Sequence, residues 1–165
     1  MSPARLLRHW LARLSGARRA FTPAVRESIE REITHAEAQH AGEICFVIEP
    51  ALSFPLLWQG VSSRQRALSA FASLGVWDTA ANNGVLIYVL FADRSVEVVV
   101  DRGISAHVPD ADWQGLCGEV ESHYRRADFD AGSQLAVRGV AQRLAQHFPA
   151  VSPHRNELPN QPILL

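Results

Sequence analysis

Every position from Val85 to Phe91 is apolar, whereas Ser95 to Asp101 mixes valines with Ser95, Glu97 and Asp101. The first run is rich in Val, Ile and Tyr and follows Asn82-Asn83-Gly84, which predicts a strand buried on both faces. Across the short polar break Ala92-Asp93-Arg94, the second run puts Val96, Val98 and Val100 on one face and Glu97, Val99 and Asp101 on the other, as the returning strand of a hairpin. Upstream, Glu43 to Glu49 alternates Ile44, Phe46 and Ile48 with Cys45 and Val47 and reads as an earlier strand.

Helical spacing accounts for most of the remainder. Thr22-Pro23 reads as a cap and first helical position, followed by the stripe Val25, Ile29, Ile33 and Ala36, with Gly42 expected to end the helix. Ser62 or Ser63 caps a helix turning Ala67, Leu68, Phe71 and Leu74 inward and ending at Gly75. Asp110 is the expected N-cap of a helix carrying Trp113, Leu116, Cys117, Val120 and Tyr124. A last helix, from Ala131 to His147, presents Leu135, Ala136, Val140, Leu144 and Phe148. Pro50 to Gly60 has no assignable pattern. The element order predicts a mixed sheet that combines a parallel strand–helix–strand crossover with an antiparallel hairpin and is covered by helices on both faces.

The two ends differ from this body. Leu6, Leu7, Trp10, Leu11 and Leu14 share one arc of a helix from Ala4 to Gly16, and Arg5, Arg8, His9 and Arg13 fill the opposite arc. Such a basic amphipathic helix packs on its own domain, on a protein partner of unknown identity or on an anionic membrane surface. The expected division is residues 1–20 for this helix, 21–150 for the domain and 151–165 for an extended tail rich in proline.

Charge sharpens the contrast. The net charge is −1, yet five arginines and no acid put +5 in the first twenty residues and leave −6 for the rest. A mildly acidic body argues against nucleic-acid binding. All sixteen basic residues are Arg, which excludes a lysine nucleophile or Schiff base. Cys45 and Cys117 lack metal or CxxC spacing and read as reduced, buried thiols. No apolar run approaches the roughly 20 residues of a membrane span, and no secretory signal is visible. The expected location is cytoplasmic, peripheral at the inner face of the membrane through residues 4–16.

Antiparallel pairing carries Asp101-Arg102-Gly103 back beside Asp78, Asn82, Asn83 and Gly84, and a parallel first strand starts at the same edge with Gly42-Glu43. Polar groups of three segments thus converge. Asp78, Asn82, Asn83 and Asp101 offer the oxygen ligands that calcium or another divalent cation takes, with Glu43, Gly84, Arg102 and Gly103 at the rim. The same residues are also ordinary turn chemistry, and Glu43 and Asp101 can equally pair with Arg102.

Other chemistry finds less support. No GxSxG, HExxH, P-loop or GxGxxG occurs, and Asp110-Ala-Asp112 reads as a helix start. Glu32 and His35 have Glu-x-x-His spacing without the second copy a di-metal bundle needs, so they read as a solvated face.

Asn83-Gly84-Val85-Leu86-Ile87-Tyr88, followed by Glu97-Val98-Val99-Val100-Asp101-Arg102-Gly103-Ile104, resembles the TPM domain, shared by a thylakoid lumen protein, a photosystem repair protein and an animal receptor-modulating protein. The resemblance covers about Phe21 to Phe148, supported by Ala36-Glu37, Gly42-Glu43-Ile44 and Asn156-Glu157-Leu158-Pro159, and points to the short soluble bacterial branch. It implies an α/β/α sandwich, and it associates the family with calcium binding and, in a plant member, acid phosphatase activity. The family's acidic pair before Asn-Gly corresponds here to Ala81-Asn82, and its Gly-Tyr-Gly to Asp101-Arg102-Gly103. With the carboxylate count reduced, the expected function is a non-enzymatic interaction or accessory module; the alternative is a metal-dependent phosphatase.

Overall fold

A computed structural model describes residues 3–150 and 156–165, with the side chains of Leu14 and Ser15 outside the description. In chain order the elements are α1 (Pro3–Leu11), a π-helical turn (Ala12–Gly16), α2 (Ala17–Ala20), α3 (Pro23–Glu37), β1 (Glu43–Glu49), α4 (Phe54–Trp58) and α5 (Ser63–Ser73). Then follow β2 (Gly84–Leu90), a 3₁₀ turn (Phe91–Asp93), β3 (Ser95–Val100), α6 (Arg102–Ser105), α7 (Asp110–Arg125), α8 (Phe129–His147) and β4 (Ile163–Leu164).

The sheet runs β3-β2-β1-β4. β1 and β2 are parallel in register from Glu43↔Gly84 to Glu49↔Leu90, and β3 returns antiparallel along β2 from Leu90↔Ser95 to Val85↔Val100. All seven residues of β1 and of β2 are buried, as the apolar run predicts. Ile44, Phe46, Ile48, Val85, Ile87 and Val89 pack with α3, α7 and α8, whereas Cys45, Val47, Leu86, Tyr88 and Val99 pack with α4, α5 and Leu6. Helices therefore cover both faces, and the fold is the expected three-layer sandwich. Burial pushes the Cys45 thiol up to about 12 and the Cys117 thiol up to about 11, so both stay protonated at neutral pH.

Several local expectations change. α3 stops at Glu37 with Ala38 as its cap, well before Gly42. Gly42 is instead set against α8, where a Cβ would lie 2.7 Å from Leu144. α5 has the capping box Ser62–Gln65 and ends as expected, Gly75 at φ +68 closing a Schellman turn by Gly75 N–H to Ala72 C=O and Val76 N–H to Phe71 C=O. Its buried residues are Ala67 and Ala70, and Leu68 is exposed. Small side chains let this helix approach the sheet closely. Pro109, not Asp110, caps α7, and α8 begins two residues early, at Phe129. The unassigned stretch holds α4, and the described tail residues 156–165 include β4, which pairs parallel to β1 at Val47 and Ile48.

The orientation of α1 is settled by polar contacts. It packs on the domain, but by its polar arc: His9 is buried, Arg5 is half-buried, and Leu7, Trp10 and Leu11 are 56%, 61% and 53% exposed. Leu6 alone of the described apolar arc joins the core; the Leu14 side chain lies outside the described residues. Asp93 explains the orientation. Its carboxylate takes Arg5 Nε at 3.0 Å and Arg8 Nη2 at 3.2 Å, with His9 Nε2 3.1 Å away. Leu52 adds two backbone bonds, its N–H to His9 Nδ1 at 3.0 Å and its C=O from Arg13 at 3.0 Å. Arg94, at φ 54, lies over Phe91 and Phe129 and donates to the Tyr124 carbonyl, which pins the turn bearing Asp93 to α7 and α8. Among the described residues no helix is long and apolar enough to cross a membrane.

Candidate functional site

At the amino ends of β1 and β2 the expected convergence of chain segments occurs. Glu43 N–H donates to the Asn83 carbonyl (3.1 Å), Asp101 N–H to the Gly84 carbonyl (2.9 Å) and Gly103 N–H to the Asn82 carbonyl (3.1 Å). Glu43, Asn83 and Asp101 are buried at 0%, 3% and 7% exposure. Asp78 is exposed on the turn after α5.

Each partner of this edge has a structural task. Asn82 takes the left-handed conformation (φ 52), and its Oδ1 accepts from Arg102 Nε at 3.0 Å. Arg102 is thereby turned toward a carboxamide. Asn83 donates through Nδ2 to the Ala41 carbonyl and through its N–H to Thr79 Oγ1 at 3.0 Å. The Asp101 carboxylate caps α6, a turn absent from the sequence reading, by accepting the Arg102 N–H at 2.6 Å. Gly84 and Gly103 are required by contact, since a Cβ at either would run into a backbone carbonyl, that of Val76 or of Asn82.

The tail completes the edge. Both Glu157 carboxylate oxygens lie 3.3 Å from the Ala80 N–H, and the Leu158 N–H donates to Glu43 Oε2 at 3.2 Å. Glu37 Oε1 accepts the Ile44 N–H at 3.1 Å, serving β1 on the side where β4 has not yet begun. The motif acids Glu37, Glu43 and Glu157 thus carry backbone hydrogen bonds. Among the described residues, Asp101 Oδ2 and Asn83 Oδ1 at this edge are buried and take no hydrogen bond. Among the described residues no group of three or more His, Cys, Asp or Glu is arranged to hold a metal ion. Glu32, of the Glu-x-x-His pair, holds Arg138 at 2.7 Å, and this bond keeps its carboxyl below the usual range.

The opposite, carboxyl ends of the parallel strands hold polar groups that sequence reasoning missed. Tyr88 Oη donates to Glu49 Oε2 at 2.7 Å, and Arg66 Nε stands 2.8 Å from the same oxygen. Burial first, then Glu49, raises the Tyr88 pKa and holds the phenol neutral. An open cavity of about 530 Å³ lies nearby, bordered by Arg13, Arg18, Glu49 and Leu164. A tyrosine within an otherwise apolar run, and an acid closing a strand, were the available signals.

Comparison with known proteins agrees with this architecture. The family model described as TPM domain matches residues 17–143. The solution structure of BA42 from the psychrophilic bacterium Bizionia argentinensis is similar at a TM-score of 0.76 and 26% identity, covering 87% of this chain and 94% of its own. The N-terminal domain of a P. gingivalis protein shares the fold at a TM-score of 0.64 and 20% identity, over 79% of this chain and 82% of that one. No curated protein matches.

Gly84→Ala should destabilise the protein by about 3 kcal/mol in urea unfolding, because β2 must leave its register to clear the Val76 carbonyl. A loss below about 0.5 kcal/mol, typical of a neutral surface change, would contradict this packing.

Proposed function

The chain belongs to the TPM domain family, and from that footing we propose that it is a non-enzymatic accessory module seated on an anionic membrane surface from the cytoplasmic side. The observation that carries this reading is the orientation of α1. Docked by its polar arc, the helix leaves Leu7, Trp10 and Leu11 exposed, while Phe54 and Trp58 of α4 are 60% and 69% exposed. α4 lies in the segment whose Leu52 and Val61 carbonyls bond Arg13 and Arg5, so the two helices are neighbours. Tryptophans suit the headgroup boundary. Exposed Arg18 and Arg19 supply positive charge that anionic lipid attracts, at about 1 kcal/mol for each near the surface.

The full chain should sediment with vesicles containing phosphatidylglycerol, and a Leu7→Gln/Trp10→Gln/Leu11→Gln variant should stay in the supernatant. Equal pelleting of the two proteins contradicts the reading, as does calcium-dependent release of phosphate from p-nitrophenyl phosphate, which would favour the phosphatase alternative. Binding of a protein partner to this face instead of lipid would appear as no pelleting of either protein.

A divalent cation at the sheet edge is a second reading, favoured by the two buried oxygens of Asp101 and Asn83 that take no hydrogen bond. Calcium binds six to eight oxygens, so water would fill much of such a shell. Millimolar calcium should then shift the amides of residues 82–84 and 101–103, and Asp101→Asn should abolish the response. Shifts scattered elsewhere, or none, leave this edge as ordinary turn structure.

A further inference from the structure

His9 is 1% exposed, an unusual setting for an imidazole on a helix whose apolar face points outward. Its surroundings specify its protonation. Nδ1 accepts the Leu52 N–H at 3.0 Å, so the ring's own proton sits on Nε2, toward Asp93 Oδ1 at 3.1 Å. The charged groups facing the ring are Arg5 and Arg8 from α1 itself and Asp93 from the turn after β2. The loop between β1 and α4 contributes the Leu52 N–H.

Adding a proton to Nδ1 removes the acceptor of the Leu52 N–H and sets two donors against each other across 3.0 Å. It also places a third positive charge beside Arg5 and Arg8, against the single carboxylate of Asp93. We propose that protonation of His9 unlatches α1 from the domain, so that the proposed membrane element responds to mild acid. The consequence for lipid binding rests on the membrane reading; the latch itself does not.

The direction of titration agrees. Burial pushes the His9 pKa below its ordinary value, Asp93 opposes the shift, and Arg5 and Arg8 add to it. A group whose docked pKa is depressed favours docking fully above its free value, about 6.5 for histidine, and loses that advantage as pH falls from there through the docked value. Once released, α1 carries Arg5, Arg8 and a charged His9 no longer held by Asp93.

Hydrogen exchange on the lipid-free full chain tests the latch separately from the membrane. Protection factors corrected for intrinsic exchange should fall about tenfold for amides in residues 7–13 between pH 7.5 and 5.5, while those of α3 and α8 hold. His9→Asn offers Leu52 an acceptor that does not titrate, and its α1 protection should be independent of pH. Because that variant can fail to dock, ¹⁵N shifts of the wild-type imidazole provide a second measurement: an Nε2–H tautomer at pH 7.5, with a midpoint below the free value of about 6.5. Equal wild-type protection at both pH values, the same fall in a docked His9→Asn protein, or a ring midpoint at or above the free value of about 6.5 would each overturn the proposal.

Discussion

Two adjacent strands with no solvent-facing side constrain everything else in this protein. Because all seven residues of β1 and of β2 are buried, each face of the sheet needs its own helical layer. On one face α3, α7 and α8 supply large side chains such as Ile29, Trp113, Leu116 and Leu144. On the other, α5 approaches through Ala67 and Ala70, and the short α4 adds Leu57. That thinner layer is completed by Leu6 of α1 and by Leu158 and Ile163 of the tail. Both chain ends are therefore structural parts of one face.

Much of this was legible in the sequence because strand period and helix period are local signals. The uninterrupted run in β2, the alternation in β1 and the caps Thr22 and Ser62 lead to the observed elements. What periodicity does not encode is the partner of a given face. α1 has one apolar and one basic arc, and burial of apolar surface alone would turn the first inward. Asp93 and the Leu52 backbone, distant in sequence, reverse that choice by offering partners to Arg5, Arg8, His9 and Arg13. The same limit explains Gly42, which reads as a helix stop and serves as clearance for Leu144.

The sheet edge was legible as a meeting place, since strand direction alone brings Glu43, Asn83 and Asp101 together. Its occupants were not. Glu43 receives the Leu158 N–H and Glu157 receives that of Ala80, so acids suggestive of a ligand shell also fasten the tail over the strand ends. Phe91 reads as the end of the strand and Arg94 as a plain break residue, yet Phe91 opens the 3₁₀ turn after β2, and with Phe21, Tyr124 and Phe129 the two fix the turn that presents Asp93 to α1. The orientation of α1, and with it the exposed apolar face, depends on that turn.

Hydroxyl-radical footprinting read by mass spectrometry tests this orientation directly, because Trp10 and Trp58 are 61% and 69% exposed whereas Trp113 is 3% exposed. Trp10 should be oxidised at a rate close to that of Trp58 and far above that of Trp113. Protection of Trp10 to the level of Trp113 in the isolated, monomeric chain would mean that α1 docks by its apolar face, and would contradict an orientation set by Asp93 and the Leu52 backbone.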